Sequence, residues 1–386
     1  MSLGLASCAS LDRLPAVPLV MGYEIHPLDI PYARFYADGD PAQFRALGHE
    51  LIARARAARG AAALPHGARQ NATFLAISGG GDDGAFGAGL LVGWTARGDR
   101  PEFSVVTGIS TGALSAPFAF LGPDYDDELK AVYTETSAAD IFSGSNPIVS
   151  ILSGDAAADT TPLRNLIAKY VDERMVRRIA EEYAKGRLLL VATTNLDQAR
   201  SVIWNIGAIA TSPDPRARHL IIEVLRASAS LPGAFPPVML DVTINGKRYE
   251  EMHVDGGAMS QIFLYPPSLR LKEVGPKVSQ KKDVAYIIRN GRIFRPEHQV
   301  KRQTLAIAGQ AIATMTAANG MNDLYRIYLT AKRDGIEYNL VFLDDDFAVP
   351  YEGPFNKIYM NTLFEYGYRK GAAGIAWHKS PPGYED

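Results

Sequence analysis

Residues 103–120 read FSVVTGISTGALSAPFAF, and this stretch decides the fold. Residues 103–107 form an apolar run of strand length, Gly108-Ile109-Ser110-Thr111-Gly112 is a G-x-S-x-G turn, and the residues through Phe120 continue as an apolar helix. A serine between a buried strand and a helix, with glycine two positions away on each side, fits a sharp turn that lifts the hydroxyl clear of the sheet. The helix behind it offers free N–H groups and the positive end of its dipole to developing negative charge. The plainer reading is a strand-to-helix turn with Ser110 as N-cap. The strand and helix context makes Ser110 the candidate nucleophile of a serine hydrolase that cuts acyl esters.

Outward from this turn, strand and helix alternate. Residues 73–77 read as a strand, followed by a glycine-rich turn and a helix through about Trp94. Further strands are expected at 188–193, 201–205, 284–288 and 338–343, with a helix at 216–229 carrying Leu220, Val224 and Ala227 on one stripe. Asn245-Gly246 between 242–244 and 247–249 marks a hairpin, because this pair supplies the two positive-φ positions of a type I′ turn. Helices near 301–333 and 355–373 close the chain. The alternation predicts an α/β class with a mainly parallel central sheet. Residues 1–70, rich in proline and alanine with helical spacing at Phe44, Leu47, Leu51 and Ile52, read as an N-terminal arm or cap. Residues 71–260 form the core, and 261–386 supply strands and helices that complete the same domain.

Two further segments carry chemistry. Ser78-Gly79-Gly80-Gly81-Asp82-Asp83-Gly84 follows a strand, and its successive glycines leave backbone N–H groups unshielded, as an oxyanion hole needs. Gly79, Gly81 and Gly84 also satisfy G-x-G-x-x-G. A dinucleotide site is disfavoured because Asp82 and Asp83 would repel a pyrophosphate and no acidic residue ends the next strand; Glu102 precedes it. His253-Val254-Asp255-Gly256-Gly257 ends another strand, where Gly256 and Gly257 free the Asp255 carboxylate to enter a cleft. Alone, Asp-Gly-Gly reads as a common turn.

In this order, the glycine loop (Gly79, Gly80, Gly81), the elbow serine Ser110 and the later Asp255-Gly256-Gly257 resemble the patatin-like phospholipase family. The block 226–237, RASASLPGAFPP, is similar to the family's segment ahead of its aspartate. The resemblance spans residues 71–260. It implies a three-layer α/β/α sandwich with a nucleophile elbow and a Ser110–Asp255 dyad that works without histidine. It also implies an oxyanion hole from the N–H groups of Gly80 and Gly81, with Gly79 as a further donor, and a lipid or phospholipid acyl ester as substrate at a membrane surface. No cofactor and no metal are expected. Asp83 departs from the family, which often has Arg or Lys there, and leaves the head group open.

Composition limits the alternatives. The chain has 386 residues, 47% hydrophobic and 21% charged, with a formal net charge of −2. That is a globular composition with nothing to draw it to nucleic acid. No run reaches the roughly 18–20 apolar residues needed to span a bilayer, so the body of the chain is expected to be soluble. Cys8, in Leu5-Ala6-Ser7-Cys8, is the one cysteine, so no intrachain disulfide forms. The tetrapeptide resembles the lipobox of bacterial lipoproteins, but only seven residues precede Cys8, with no Lys or Arg among them. Either a signal was trimmed and the protein is a cell-envelope lipoprotein, or Cys8 is a lone thiol on a cytoplasmic or peripheral protein.

Rival functions remain. A Ser-His-Asp hydrolase would need His298 or His378 as its base; neither has a distinctive setting, and His253 would share a strand face with Asp255. An inactive lipid- or protein-binding scaffold is the second rival. Residues 305–315, rich in alanine and apolar side chains, suit an acyl groove or a membrane contact, with core packing as the favoured reading.

Overall fold

The computed structural model describes residues 13–60, 68–143, 159–293 and 299–384. Cys8, His66 and His298 lie outside these residues. The strands are β1 (Arg34–Tyr36), β2 (Thr73–Ile77), β3 (Val105–Gly108), β4 (Leu188–Asn195), β5 (Arg200–Asn205), β6 (Val238–Ile244), β7 (Lys247–Asp255), β8 (Asp283–Arg289) and β9 (Ile336–Phe342). In space the main path runs β1-β5-β4-β3-β2-β8-β9, and the β6–β7 hairpin joins through β7 and β4.

The central strands β4, β3, β2, β8 and β9 are mutually parallel. Their near-continuous apolar sequences suit strands covered on both faces. Helices lie on both sides, giving the expected sandwich with a mostly parallel centre. Among them are α1 (Pro41–Arg59), α2 (Gly84–Arg97) and α3 (Thr111–Leu121). Four antiparallel pairings finish the sheet: β5 with β4, β1 with β5, β7 with β4, and β7 with β6. Asn245 and Gly246 take φ values of 51° and 77° at the β6–β7 turn, the positive pair a type I′ hairpin requires.

Three features differ from the sequence reading. β1, in the N-terminal stretch, is an edge strand of the same sheet, held to β5 through Phe35↔Ile203. Helices Asp126–Thr134, Ala138–Ile141, Thr161–Tyr170 and Glu173–Ala184 lie between α3 and β4, where no element was expected. The core packing favoured for 305–315 is not what the structure has: Ile307, Ile312 and Met315 are solvent-exposed. The helix Thr304–Asp334 packs on the sheet only through its second half, where Leu324, Ile327 and Ala331 are buried.

Candidate active site

β4 acts as the ruler on which the site is laid out. β5 runs along one edge of β4 from Asn205 to Arg200, and β3 occupies the other edge only as far as Gly108↔Val191. Beyond that point β7 takes over the vacated edge in the opposite direction, ending at Thr193↔Asp255. Gly108 and Asp255 therefore lie opposite positions two residues apart on β4, about 7 Å along the strand. Ser110 turns into the gap between these two strand ends.

The turn is strained. Ser110 has φ 56° and ψ −128°, outside the regions open to an L-residue without strain. Holding it there costs about 1–3 kcal/mol. The flanking glycines answer a steric demand: a Cβ on Gly108 would lie 2.4 Å from the Gly112 carbonyl oxygen, and one on Gly112 would lie 2.3 Å from that of Ile77. Ser228 pins the turn from below. Its hydroxyl accepts the Ser110 N–H at 3.1 Å and donates to the Ala192 carbonyl at 2.7 Å.

Asp255 is buried at the end of β7. Its N–H donates to the Ser230 carbonyl at 2.8 Å, its Oδ1 accepts the Gly257 N–H at 2.7 Å, and Thr194 Oγ1 donates to its carbonyl at 3.0 Å. Burial pushes its carboxyl up to about 6, opposed by hydrogen bonding from the Ser110 hydroxyl and from the Gly257 N–H. Gly256, the other motif glycine, packs under the Ala192 carbonyl.

The glycine loop sits against the same serine: a Cβ on Gly79 would be 3.1 Å from Ser110 Cβ. The three glycines are not equivalent. Gly79 is buried and its N–H donates to the Gln261 carbonyl at 3.0 Å, so it is committed and not available as the further oxyanion donor. Gly80 and Gly81 are exposed, and their N–H groups donate to no described atom. Asn290, just past β8, fixes the loop. Its N–H donates to Ser78 Oγ at 2.8 Å, its Nδ2 donates to the Ser78 carbonyl at 2.9 Å, and its Oδ1 accepts the Gly87 N–H at 3.1 Å. A Cβ on Gly80 would lie 2.3 Å from the Asn290 carbonyl oxygen. Gly84 opens α2 where it abuts Thr111, the first residue of α3, so two helix N-termini converge beside the serine.

The two aspartates of the loop act as fasteners. Asp82 Oδ2 accepts the Phe355 N–H at 2.9 Å, and Asp83 Oδ1 accepts the Tyr359 hydroxyl at 2.7 Å. They tie the loop to the helix Lys357–Ala373.

No described histidine bonds to Ser110 or Asp255. His253 is fully buried, with Nδ1 on Thr193 Oγ1 at 2.9 Å and Nε2 on Glu251 Oε2 at 3.3 Å. Burial alone would raise Glu251, but Arg34 and His253 outweigh it and hold that carboxyl down at about 2. His378 stacks on Phe342 beside β9. Among the described residues no group of His, Cys, Asp and Glu side chains could hold a metal.

Beside the elbow opens a cavity of about 380 Å³. Ile109, Ala192, Ile203, Met259 and Phe263 give it apolar walls, and Ser201 and Arg200 stand on its β5 side.

Sequence reasoning missed Ser228, Ser230, Gln261 and Asn290 as parts of this assembly. Ser228 and Ser230 fall in the block 226–237, which drew notice only as a whole. Nothing local in the sequence marks Asn290 or Gln261.

A family model for patatin-like phospholipases matches residues 75–266, from β2 to just beyond Asp255. No curated protein gave a significant match. Among solved structures, VipD from Legionella pneumophila superposes with a TM-score of 0.38 at 13% identity, covering 79% of this chain. The chain spans 66% of VipD, just under two thirds.

Proposed function

We propose that the chain, whose residues 75–266 match the patatin-like phospholipase family model, is a lipid acyl hydrolase in which Ser110 and Asp255 are the catalytic dyad, cleaving acyl esters without histidine. The observation that carries the reading is the meeting of β3 and β7 end to end along β4, which sets a strained serine against a buried carboxylate whose hydrogen-bond partner it is.

In this mechanism Ser110 Oγ attacks the ester carbonyl as its proton passes to Asp255. A carboxylate is a weak base for an alcohol, and burial raises its basicity toward neutral pH. The N–H groups of Gly80 and Gly81 face the developing oxyanion, an arrangement in which one donor is worth about 10²–10³ in kcat. Asp255 returns the proton to the departing alcohol, and water activated by the same carboxylate then releases the acid. The acyl chain occupies the cavity beyond Ile109, where Met259 and Phe263 supply apolar contact. A lone carboxylate base is favoured over a triad because no described histidine bonds to Ser110 or Asp255: both ring nitrogens of His253 are committed, and His378 stacks on Phe342 beside β9.

The test is a panel of lipid and p-nitrophenyl esters assayed with wild type, Ser110→Ala and Asp255→Asn, alongside labelling by a fluorophosphonate probe. Both variants should lose turnover and Ser110→Ala should lose the label. Turnover that persists in both, or a folded wild type that takes no label, rejects the dyad.

A further inference from the structure

The helix Thr304–Asp334 is oriented by its ends. Asp334 accepts the Tyr265 hydroxyl at 2.7 Å and is one residue from the turn into β9, so it stands at the edge where the parallel strands begin. Asp323 accepts the Gln261 N–H at 2.6 Å, and a Cβ on Gly320 would meet Arg289 at the end of β8. Positions 320–323 are therefore level with the edge that carries the glycine loop and Ser110. The preceding residues, 304–319, project past that edge by about 24 Å.

What this projection displays is inverted. From Gln303 to Asn322 there is no charged side chain. Ile307, Ala308, Ala311, Ile312, Met315 and Ala318 share one helical face, and that face is the exposed one, with Ile307, Ile312 and Met315 at 54%, 45% and 66% exposure. A helix that turns its apolar stripe to water needs a partner. Further exposed apolar side chains ring the same edge. Met259 lies two residues beyond Gly257, and Leu231 follows Ser230, whose carbonyl holds the Asp255 N–H. Tyr351 hydrogen-bonds Asp82, and Ile358 precedes the Tyr359 that holds Asp83. At the tip of the helix stand exposed Lys301 and Arg302, with no acid between Val300 and Asn322.

Resting on the acyl-hydrolase reading, we propose that this edge is an interfacial docking face: residues 304–319 lie in the surface of an anionic bilayer, Lys301 and Arg302 bind its head groups, and the Ser110 cleft is lowered onto the lipid. The charge pattern selects the occupant. An apolar stripe ended by cations suits an anionic lipid surface, whereas the same stripe of a second copy, with no acid between Val300 and Asn322, supplies no counter-charge for them.

The experiment is co-sedimentation of full-length Ser110→Ala with vesicles of pure phosphatidylcholine or of phosphatidylcholine with 30% phosphatidylglycerol. Using this variant separates docking from chemistry. The protein should sediment with the anionic vesicles. Ile307→Glu/Ile312→Glu/Met315→Glu should reduce binding at least tenfold, and Lys301→Ala/Arg302→Ala should reduce it about fivefold per charge at low salt, more weakly on pure phosphatidylcholine. Val20→Glu/Val278→Glu, exposed apolar positions elsewhere, should bind as the parent does. Melting temperature reports that each variant folds. Equal binding by the triple-glutamate and control variants overturns the proposal. So does a folded parent that ignores anionic vesicles, or a parent that is a dimer made monomeric by the triple substitution without vesicle binding. Docking without any ester turnover in wild type would remove the dyad and leave the face standing.

Discussion

Replacing Asp255 by asparagine should abolish turnover and at the same time make the protein more stable above neutral pH. In the unfolded chain the carboxyl ionises near its ordinary value of 3.8, and in the folded protein burial raises it to about 6. Below pH 3.8 the group is protonated in both states and contributes nothing. Between 3.8 and 6 the folded state binds the extra proton, so stability falls with rising pH by about 1.4 kcal/mol per unit. Above 6 the loss is complete, at about 3 kcal/mol. Asparagine is isosteric, stays neutral throughout, and can still accept the Gly257 N–H. For a chain of this length the unfolding entropy is roughly 0.8 kcal/mol/K, so the full difference corresponds to about 4 °C in Tm.

Calorimetric melts of wild type and Asp255→Asn from pH 4.5 to 8 should therefore diverge up to pH 6 and run parallel beyond it, with the variant higher. The kcat/KM of wild type should rise with pH through an apparent pKa of about 6, because only the ionised carboxylate accepts the serine proton. Parallel melts across the whole range, together with a rate profile flat near pH 6, would refute the assignment of Asp255 as a buried base.

Three other outcomes follow from the same geometry. Ser228→Ala leaves the Ser110 N–H and the Ala192 carbonyl without their shared partner; a stability loss of about 1–3 kcal/mol per group and a lower kcat at nearly unchanged KM are expected from melts and steady-state kinetics. Gly80→Ala drives a methyl into the Asn290 carbonyl and should displace the loop, lowering kcat about 10²–10³-fold with the fold retained by circular dichroism. Ser201→Trp narrows the cavity from its β5 side, and a chain-length series of p-nitrophenyl esters should shift its optimum to shorter acids.

The sequence was most legible where a local rule acts alone. G-x-S-x-G gave away the elbow because no other residues fit the contacts at Gly108 and Gly112, and Asn245-Gly246 gave away its hairpin for the same kind of reason. It was least legible where a residue works through partners distant in the chain. Ser228 matters because two backbone groups, of Ser110 and Ala192, converge on it, and nothing within its own neighbourhood records that. Asn290 is a turn residue by composition and the clamp of the glycine loop by topology. Asp83 drew attention as a missing cation, but its carboxylate is used to hold Tyr359. Residues 305–315 misled in the opposite sense. Their apolar spacing is genuine, but periodicity reports only that a face is apolar, not whether protein or lipid covers it.

The relation between Ser110 and Asp255 depends on β4 more than on either motif. β3 stops at Val191 and β7 stops at Thr193, so one residue, Ala192, lies opposite the gap. Its carbonyl accepts Ser228, which in turn holds the Ser110 N–H, and the close approach of Gly256 to that carbonyl leaves no room for a Cβ there. A single backbone carbonyl thus sets the position of both partners. Lengthening either strand by one residue would close the gap and flip the side chains beyond it to the other face of the sheet. The spacing of the two strand ends, invisible in either motif, is what brings a serine and an aspartate so far apart in sequence within one hydrogen bond.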